Sequence, residues 1–162
     1  MSLHFHELTV SEVRRETHDC VSIAFNIPAE LKETYQYKQG QYITLRKKIN
    51  GEELRRSYSI CSSPLDNELR VAVKKAENGI FSTYANDSLK KGDILDVMPP
   101  IGKFFTELHP ENAKQYVGFV AGSGITPLLS IIKTTLQLEP KSSFTLVYGN
   151  RNRHSIIFKE EL

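Results

Sequence analysis

The sequence has little cysteine, no long hydrophobic run and almost no excess of charge, and each shortage excludes a class of protein. Its two cysteines, Cys20 and Cys61, are too few by themselves for a disulfide framework, a zinc site or an iron–sulfur cluster. No apolar stretch approaches the length of a membrane helix, and no apolar run follows a basic start. We therefore expect a soluble cytoplasmic protein with no metal site of its own.

The formal net charge is only +2, and the basic residues are scattered along the chain instead of forming a stripe. This argues against a nucleic-acid partner and against a charged membrane surface. A barrel that binds oligonucleotides would also need a basic groove with aromatic residues, which this sequence lacks. The length of 162 residues allows one large domain, or a barrel-sized domain and part of another.

Short segments that alternate between apolar and polar residues dominate the first part of the chain. This period of two is clear from Val21 to Ile27 and again from Leu69 to Val73. Asn50-Gly51 predicts a tight hairpin turn, and Lys91-Gly92-Asp93 predicts a turn into a strand over residues 94–98. Several short strands at this spacing favour a small antiparallel barrel.

The most informative stretch is Arg55-Arg56-Ser57-Tyr58-Ser59-Ile60. Read as a strand, it places Arg56 and Tyr58 on one face, where a phenol ring can stack on a flat ligand and a guanidinium can grip a phosphate. Ser59 follows just before a turn, where its hydroxyl can reach the reactive edge of that ligand. The alternative is an ordinary half-exposed strand covered by its own Arg and Tyr, and these residues alone do not separate the two.

Helical spacing interrupts the strands between residues 77 and 89. At its start, Gly79 can let a ligand approach the backbone. Ser82 and the first free amides of the helix can bind an anion there. The alternative is a glycine turn into a short helix that covers one end of the barrel.

A different pattern begins after a polar connector at residues 109–112. The apolar run 116–121 predicts a strand buried on both faces, and residues 144–148 predict a second one. Between them lies the loop 122–127, in which Thr126 is a natural N-cap and Pro127 a natural first helical residue. This order of elements opens a parallel nucleotide-binding sheet. A plain strand–helix turn is the alternative, because the loop lacks the full G-x-G-x-x-G pattern.

The end of the chain, from Ser155 to Leu162, predicts the start of a second helix. One helix and two strands cannot cover both faces of a parallel sheet, so we expect either a fragment or a surface that another chain covers. We accordingly expect the residues after Ala113 to be poorly ordered or packed against another copy, and the barrel to be well formed.

Together these motifs resemble those of the ferredoxin–NADP reductase-like flavoproteins, from about Phe5 to Leu162. Arg56-Ser57-Tyr58-Ser59 fits the R-x-Y-S flavin motif, Gly79 to Ser82 fits the G-x-x-S flavin-phosphate motif, and Gly122 to Pro127 fits the nicotinamide-nucleotide loop. Within the family, the most similar branch is the reductase components of phenylacetyl-CoA epoxidases, through residues 5–10, 53–62 and 97–104.

The resemblance implies a six-stranded antiparallel FAD-binding barrel over residues 1–108 and the first part of a parallel NAD(P)-binding α/β domain over residues 114–162. It implies NADPH or NADH as the electron donor and an oxygenase component as the acceptor, in phenylacetate degradation. A [2Fe–2S] cluster is expected only in a C-terminal domain absent from this chain, and a homo-oligomer is left open. A flavin-binding or partner-docking module without a working nicotinamide site is the alternative function.

The resemblance also implies a role for each motif residue. Arg56 would grip the FAD pyrophosphate, and the catalytic residues would be Tyr58, against the isoalloxazine, and Ser59, near its N5. Ser82 and the Thr83 amide would hold the phosphates. The implied cofactor-binding residues are Arg56, Ser57, Tyr58, Ser59, Val73, Lys74, Gly79, Ile80, Phe81, Ser82, Thr83, Gly122, Ser123, Gly124 and Thr126.

Overall fold

A six-stranded antiparallel sheet is the largest element of this computed structural model, which describes residues 4–162. Its strands are β1 (His6–Thr17), β2 (Cys20–Asn26), β3 (Tyr42–Ile49), β4 (Glu52–Ser59), β5 (Leu69–Lys74) and β6 (Ile94–Ile101). They are arranged in the order β4-β3-β6-β1-β2-β5. A bridge between Ile60, just past β4, and Val71 of β5 joins the two outer strands and closes the sheet. The predicted antiparallel barrel is confirmed.

The hairpin between β3 and β4 sets the register of the Arg56–Ser59 motif. Asn50 and Gly51 both have left-handed backbone conformations, with φ of 51° and 86°, which is the tight two-residue turn that the sequence predicts. The resulting register pairs Ser57 with Thr44 and Tyr58 with Ile43. Because a slip of one residue would exchange the two faces of β4, this turn decides which motif side chains face outward.

The sequence pattern did not predict β1, although at 12 residues it is the longest strand. It lies between β2 and β6. Its pairing with β2 is irregular between Val10 and Glu12 and again between Arg15 and Thr17. Such irregularities add an unpaired residue and break the period of two, which is why simple alternation misses this strand.

Apolar side chains from all six strands fill the barrel, and helix α1 (Ile80–Asp87) closes one end with Phe81 and Ala85. Both α1 side chains are almost completely buried. The helix predicted between residues 77 and 89 is therefore confirmed, and its first turn is held against the barrel wall.

The rest of the chain forms β7 (Gln115–Ala121), α2 (Ile125–Leu138) and β8 (Ser143–Gly149), with β7 and β8 paired in parallel. This is the predicted strand–helix–strand order. The expectation that both strands are buried on both faces is wrong, since Val117 and Phe119 of β7 are 58% and 77% exposed and Val147 of β8 is 49% exposed. Helix α2 covers the opposite face, where a Cβ atom on Gly118 would lie 2.8 Å from Leu128.

Two local predictions for this part are also wrong. Thr126 is not the N-cap: α2 begins at Ile125 after a 3-10 turn, Gly122–Gly124, and the Thr126 hydroxyl donates to Ser123 O at 3.1 Å. The last residues form no second helix, because a 3-10 turn at Arg153–Ser155 leads into turns in which Phe158 has a left-handed φ of 60°.

Helix α2 also packs on the barrel. Ser130 and Lys133 of α2 reach the loop after β4, and Leu129 joins a small apolar cluster that includes Cys20 and Cys61 of the barrel. The structure thus describes the residues after Ala113 as defined elements docked on the barrel. Packing of their exposed face against another copy stays a prediction.

The connector between the two parts is held by Glu139, the residue after α2. Its buried carboxylate accepts hydrogen bonds from the His109 amide (3.1 Å) and Asn112 Nδ2 (2.6 Å), and from the hydroxyls of Tyr116 (2.9 Å) and Ser142 (2.7 Å). Burial by itself raises the pKa of this carboxyl, but the four hydrogen bonds outweigh burial and lower its pKa to about 2.

We expect Glu139 to make the stability of the chain depend on acid pH. Because its pKa is lower in the folded state, its stabilisation is complete above the ordinary Glu pKa and is lost as the pH falls towards about 2. Urea midpoints measured from neutral to strongly acid pH should therefore fall more steeply for the wild type than for Glu139→Gln. Glu111→Gln, at an exposed position in the same connector, is the control. Equal slopes for wild type and Glu139→Gln would refute this.

Candidate functional site

Arg56 is the available cation on β4. Its guanidinium donates to Arg55 O at 2.7 Å, and no carboxylate among residues 4–162 lies within ion-pair distance of it. The charge of the neighbouring Arg55 is already paired with the Glu53 carboxylate at 2.7 Å, and its guanidinium also lies 5.3 Å from the centre of the Phe5 ring. Arg56 is thus free to bind an anionic ligand, whereas Arg55 is not.

Tyr58 joins the strand motif to the helix motif. Its half-buried ring lies 5.9 Å from the ring of Phe81 on α1, centroid to centroid, with 31° between the ring planes. Burial raises the pKa of the Tyr58 phenol to about 12, against a smaller lowering by the positive charge of Arg56. Tyr58 therefore stays neutral at physiological pH and offers a ring surface beside a guanidinium.

The two serines of the strand motif differ in their contacts. Ser57 Oγ lies 2.9 Å from Thr44 Oγ1 on the neighbouring strand, so its hydroxyl is already engaged in the sheet. Ser59 is half-buried at the end of β4, and its hydroxyl has no hydrogen-bond partner among the described residues. Of the two hydroxyls, that of Ser59 is the one available to a ligand.

The start of α1 offers backbone amides. The Ser82 hydroxyl accepts from Ala76 N at 3.0 Å and donates to Gly79 O at 3.1 Å, and the Thr83 amide donates to Gly79 O at 2.9 Å. The amides of residues 80–82 remain without an intrahelical acceptor. A phosphate at this end would meet these amides first, because the groups expected from Ser82 and Thr83 are bonded within the protein.

Val73 and Lys74, at the end of β5, are placed differently from the other expected residues. The Val73 side chain is completely buried in the barrel core, and its carbonyl accepts from Asn86 Nδ2 at 3.0 Å. Lys74 Nζ lies 3.7 Å from the carboxylate of Asp19, so its charge is paired inside the protein. Cofactor contacts of these two residues stay a prediction.

The expected nucleotide loop lies at the carboxyl end of β7, where ligands of parallel sheets bind. Gly122 has a left-handed φ of 53°, and its carbonyl accepts from the Tyr148 hydroxyl of β8 at 2.9 Å. Ser123 and Gly124 are exposed, whereas Thr126 is buried behind them. The loop can therefore present residues 122–124 to a ligand, and the buried Thr126 stabilises it through the hydrogen bond to Ser123 O.

Four small polar residues to which the sequence pattern assigned no site role join the two halves of the site. Ser62 and Ser63 follow β4, and Ser130 and Thr134 lie on the buried face of α2. Ser130 Oγ donates to Ser62 O at 2.6 Å, and Ser63 Oγ lies 2.9 Å from Thr134 Oγ1. Their signal in the sequence is the spacing of four between Thr126, Ser130 and Thr134, which places three small polar side chains on one helical face.

In residues 4–162, no group of three or more His, Cys, Asp or Glu side chains is arranged to hold a metal ion. Cys20 and Cys61 are both buried and free, and burial raises the pKa of the Cys20 thiol to about 12. Over the same range, no helix has the length and apolar character needed to cross a membrane.

Comparison with known families agrees with this architecture. A family model described as "Oxidoreductase FAD-binding domain" matches residues 7–106, and one described as "Oxidoreductase NAD-binding domain" matches residues 119–162. The chain therefore belongs to the ferredoxin–NADP reductase-like family of NAD(P)H-dependent flavin oxidoreductases.

Individual relatives place it more closely within that family. The chain is 50% identical to one of the subunits of 1,2-phenylacetyl-CoA epoxidase of Escherichia coli (strain K12), a match that covers 98% of this chain and 44% of that protein. It is 40% identical to the ferredoxin reductase component of 3-ketosteroid-9-alpha-monooxygenase of Rhodococcus rhodochrous, over 96% of this chain and 44% of that protein. The chain thus spans less than half the length of these two relatives.

Solved structures show the same fold. The FAD/NAD-binding domain of a nitric oxide dioxygenase from Vibrio cholerae O1 biovar El Tor superposes with a TM-score of 0.83 at 27% identity, covering 98% of this chain and 68% of that one. Phthalate dioxygenase reductase superposes with a TM-score of 0.80 at 29% sequence identity, and the match covers 98% of this chain and 47% of that one. It is described as a modular structure for electron transfer from pyridine nucleotides to [2Fe–2S].

We expect Gly79→Ala to destabilise the chain by about 1–3 kcal/mol, the usual scale for overpacking a tight site. A Cβ atom at Gly79 would lie 2.4 Å from Ser82 Oγ and 3.0 Å from Ala76 Cβ, so either the Ser82 hydroxyl must give up its hydrogen bonds or the loop before α1 must shift. Urea unfolding checks this. Gly149→Ala is the control, because a Cβ atom there meets nothing closer than 3.8 Å. Equal losses in both variants would contradict the steric argument.

Proposed function

We propose that this chain forms the flavin-binding part and the opening of the nucleotide-binding part of a reductase that passes electrons from NAD(P)H through FAD towards an iron–sulfur centre and an oxygenase. One observation carries the proposal. Arg56 has no carboxylate partner among the described residues and lies beside Tyr58, whose ring packs on the first turn of α1. The unpaired guanidinium of Arg56, the ring of Tyr58 and the free amides at the start of α1 are therefore neighbours on one side of the barrel.

These groups match the parts of FAD. Its pyrophosphate needs positive charge and N–H donors, which Arg56 and the amides of residues 80–82 supply. Its flat ring system needs an apolar surface, which the half-buried Tyr58 supplies with Phe81 behind it. Gly79 keeps the loop before α1 close to Ser82, so the free amides are held in place.

In this proposal the protein binds, orients and shields the reacting groups. Arg56 anchors the anionic end of the cofactor, and Tyr58 covers one face of its ring and excludes water there. The unpartnered Ser59 hydroxyl would donate a hydrogen bond to the flavin ring near N5 and so orient it. When bound, FAD supplies the chemistry that accepts a hydride and releases single electrons.

The nicotinamide nucleotide would bind at residues 122–124. Ser123 and Gly124 are exposed and Gly122 is half-buried at the carboxyl end of β7, directly before α2, where parallel sheets bind nucleotides. NADPH and NADH are both compatible with this loop. Arg151 and Arg153, exposed after β8, are available to a 2′-phosphate, which would favour NADPH.

The proposed acceptor and pathway rest on the relatives. The Escherichia coli phenylacetyl-CoA epoxidase relative is 50% identical to this chain, and the Rhodococcus relative is named as the ferredoxin reductase component of a monooxygenase. We therefore propose an oxygenase component as the electron acceptor, phenylacetate degradation as the pathway and a [2Fe–2S] centre as the next carrier.

A flavin-binding or partner-docking module without nucleotide-dependent reduction is the second candidate. The observation that favours it is the uncovered face of the parallel sheet, where Phe119 and Val147 are 77% and 49% exposed. Colour separates the two functions. If NADPH or NADH bleaches the flavin colour of a yellow preparation, the reductase is supported. If neither nucleotide bleaches it, the binding module is supported.

We expect Arg56→Ala to weaken FAD binding by about 1.5–3 kcal/mol, the usual scale for one charge-assisted contact. Titration of apoprotein with FAD, followed by quenching of flavin fluorescence, measures the loss. Arg55→Ala is the matched control, since the charge of Arg55 is already paired with Glu53. Unchanged affinity in Arg56→Ala would remove Arg56 from the flavin site.

We expect Ser59→Ala to slow reduction of the bound flavin by about tenfold, equivalent to one hydrogen bond of about 1.4 kcal/mol, and to leave flavin content unchanged. Stopped-flow mixing of flavin-loaded protein with NADPH and with NADH measures the rate. Ser57→Ala is the control, because the Ser57 hydroxyl is bonded to Thr44 within the sheet. Equal rates in the wild type and Ser59→Ala would exclude Ser59 from the reaction.

A further inference from the structure

Helix α2 carries a row of small polar side chains on the face that meets the barrel. Thr126, Ser130 and Thr134 are spaced by four residues and are buried at 6%, 0% and 1% exposure. Small side chains allow the helix backbone to approach closely. The row ends against Ser62 and Ser63, the turn that follows β4.

Two hydrogen bonds join this row to the turn. Ser130 Oγ donates to Ser62 O at 2.6 Å. Thr134 Oγ1 donates to Ser130 O at 2.6 Å, which uses its single proton, so in the 2.9 Å contact between Ser63 and Thr134 the Ser63 hydroxyl is the donor. Both bonds are buried and cross from the barrel to the nucleotide-binding part.

The turn is held firmly on the barrel side as well. Ser62 Oγ donates to Glu68 O at 2.8 Å and accepts from Arg70 N at 3.1 Å, and the Tyr37 hydroxyl lies 2.8 Å from it. Ser62 is only three residues beyond Ser59, with the barrel-closing Ile60 between them. Only Ile60 and Cys61 lie between Ser59 and this turn, so a ligand that holds the end of β4 also restricts the backbone next to Ser62 and Ser63.

The other end of α2 reaches the nucleotide loop. The Thr126 hydroxyl donates to Ser123 O at 3.1 Å, and about 9 Å of helix separates Ser130 from Gly124. The α2 backbone and the Thr126–Ser123 hydrogen bond thus connect Ser130 and Thr134 to the loop at residues 122–124.

We propose that the Ser63–Thr134 and Ser130–Ser62 hydrogen bonds couple the flavin strand to the nucleotide loop, with Thr134 as a positioning residue. This inference rests on the proposed flavin function. When a flavin holds the end of β4, the turn at 62–63 loses freedom and α2 becomes more rigid through these two bonds. Binding at one site thus prearranges the other, and the flavin and nucleotide loop keep a constant separation.

The chain offers a matched pair of variants for a test. Thr134→Val keeps the shape of the side chain and removes the hydroxyl that accepts from Ser63. Thr135→Val makes the same change one residue later, at an equally buried site whose Oγ1 has no hydrogen-bond partner in the structure. Thr134→Ser retains the hydroxyl, and Ser63→Ala breaks the same bond from the barrel side if Thr134→Val does not fold.

The experiment measures hydrogen exchange of the α2 amides with and without saturating FAD, together with FAD affinity from flavin fluorescence. In the wild type, Thr134→Ser and Thr135→Val, we expect FAD to slow exchange in α2 by about fivefold or more. In Thr134→Val and Ser63→Ala we expect this slowing to disappear while FAD affinity changes little. A purely structural role would raise exchange equally with and without FAD.

The outcomes separate this inference from the function on which it depends. A wild-type protein that does not bind FAD overturns the proposed function, and the coupling with it. If FAD binds but α2 exchange is unchanged, or is slowed as much in Thr134→Val as in Thr135→Val, the coupling is refuted and the flavin site stands.

Discussion

The bridge between Ile60 and Val71 is the contact on which the rest of the structure depends. It joins the first and last strands of the sheet, so the end of β4 comes to lie beside β5 and near the helix that follows it. Without closure, Tyr58 could not pack on Phe81, and the two flavin motifs would lie on opposite edges of an open sheet. The same bridge holds Cys61 and the following turn in the place where α2 docks.

Electrostatics distinguishes the arginines that are paired within the protein from the one that is available to a ligand. Arg70 is buried beside the carboxylates of Glu68 and Glu12 and also donates to Ser22, which ties three strands together. Arg55 is occupied by Glu53. Arg56 alone in this set has no carboxylate partner, so it keeps its charge for an external anion without having to break an internal pair.

The parallel part of the chain is stabilised from one side only. Helix α2 covers one face of the β7–β8 pair and simultaneously buries Ile125 and Leu129 against the barrel, while the other face keeps Phe119 exposed. The connector is secured by the buried carboxylate of Glu139. The nucleotide loop is therefore supported through α2 and the connector, and the uncovered face contributes nothing to holding it.

Local chemistry along the sequence was enough to predict the barrel, α1, the strand–helix–strand unit and the three motifs. Period-two alternation and the Asn50-Gly51 turn are local signals, and so is the Arg56–Ser59 pattern. Wherever a partner distant in sequence decided the outcome, these signals failed. The irregular pairing with β2 hid β1 in this way. Two other predictions failed for local reasons, since the 3-10 turn Gly122–Gly124 displaced Thr126 from the cap and the left-handed backbone of Phe158 interrupts any helix at the end of the chain.

Only the tertiary structure decided which site groups are free. Lys74 and Arg56 are both candidate phosphate ligands in the sequence, yet the pairing of β2 with β5 places Asp19 beside Lys74, and no carboxylate of the described chain lies beside Arg56. Likewise, nothing in the sequence relates Ser63 to Thr134 until docking of α2 brings their hydroxyls within 2.9 Å. The sequence by itself determined most of the elements and the order of the motifs, because these depend on neighbouring residues. Which charges and which hydroxyls are paired depends on contacts between segments that are distant in sequence, and these contacts form only when the chain folds.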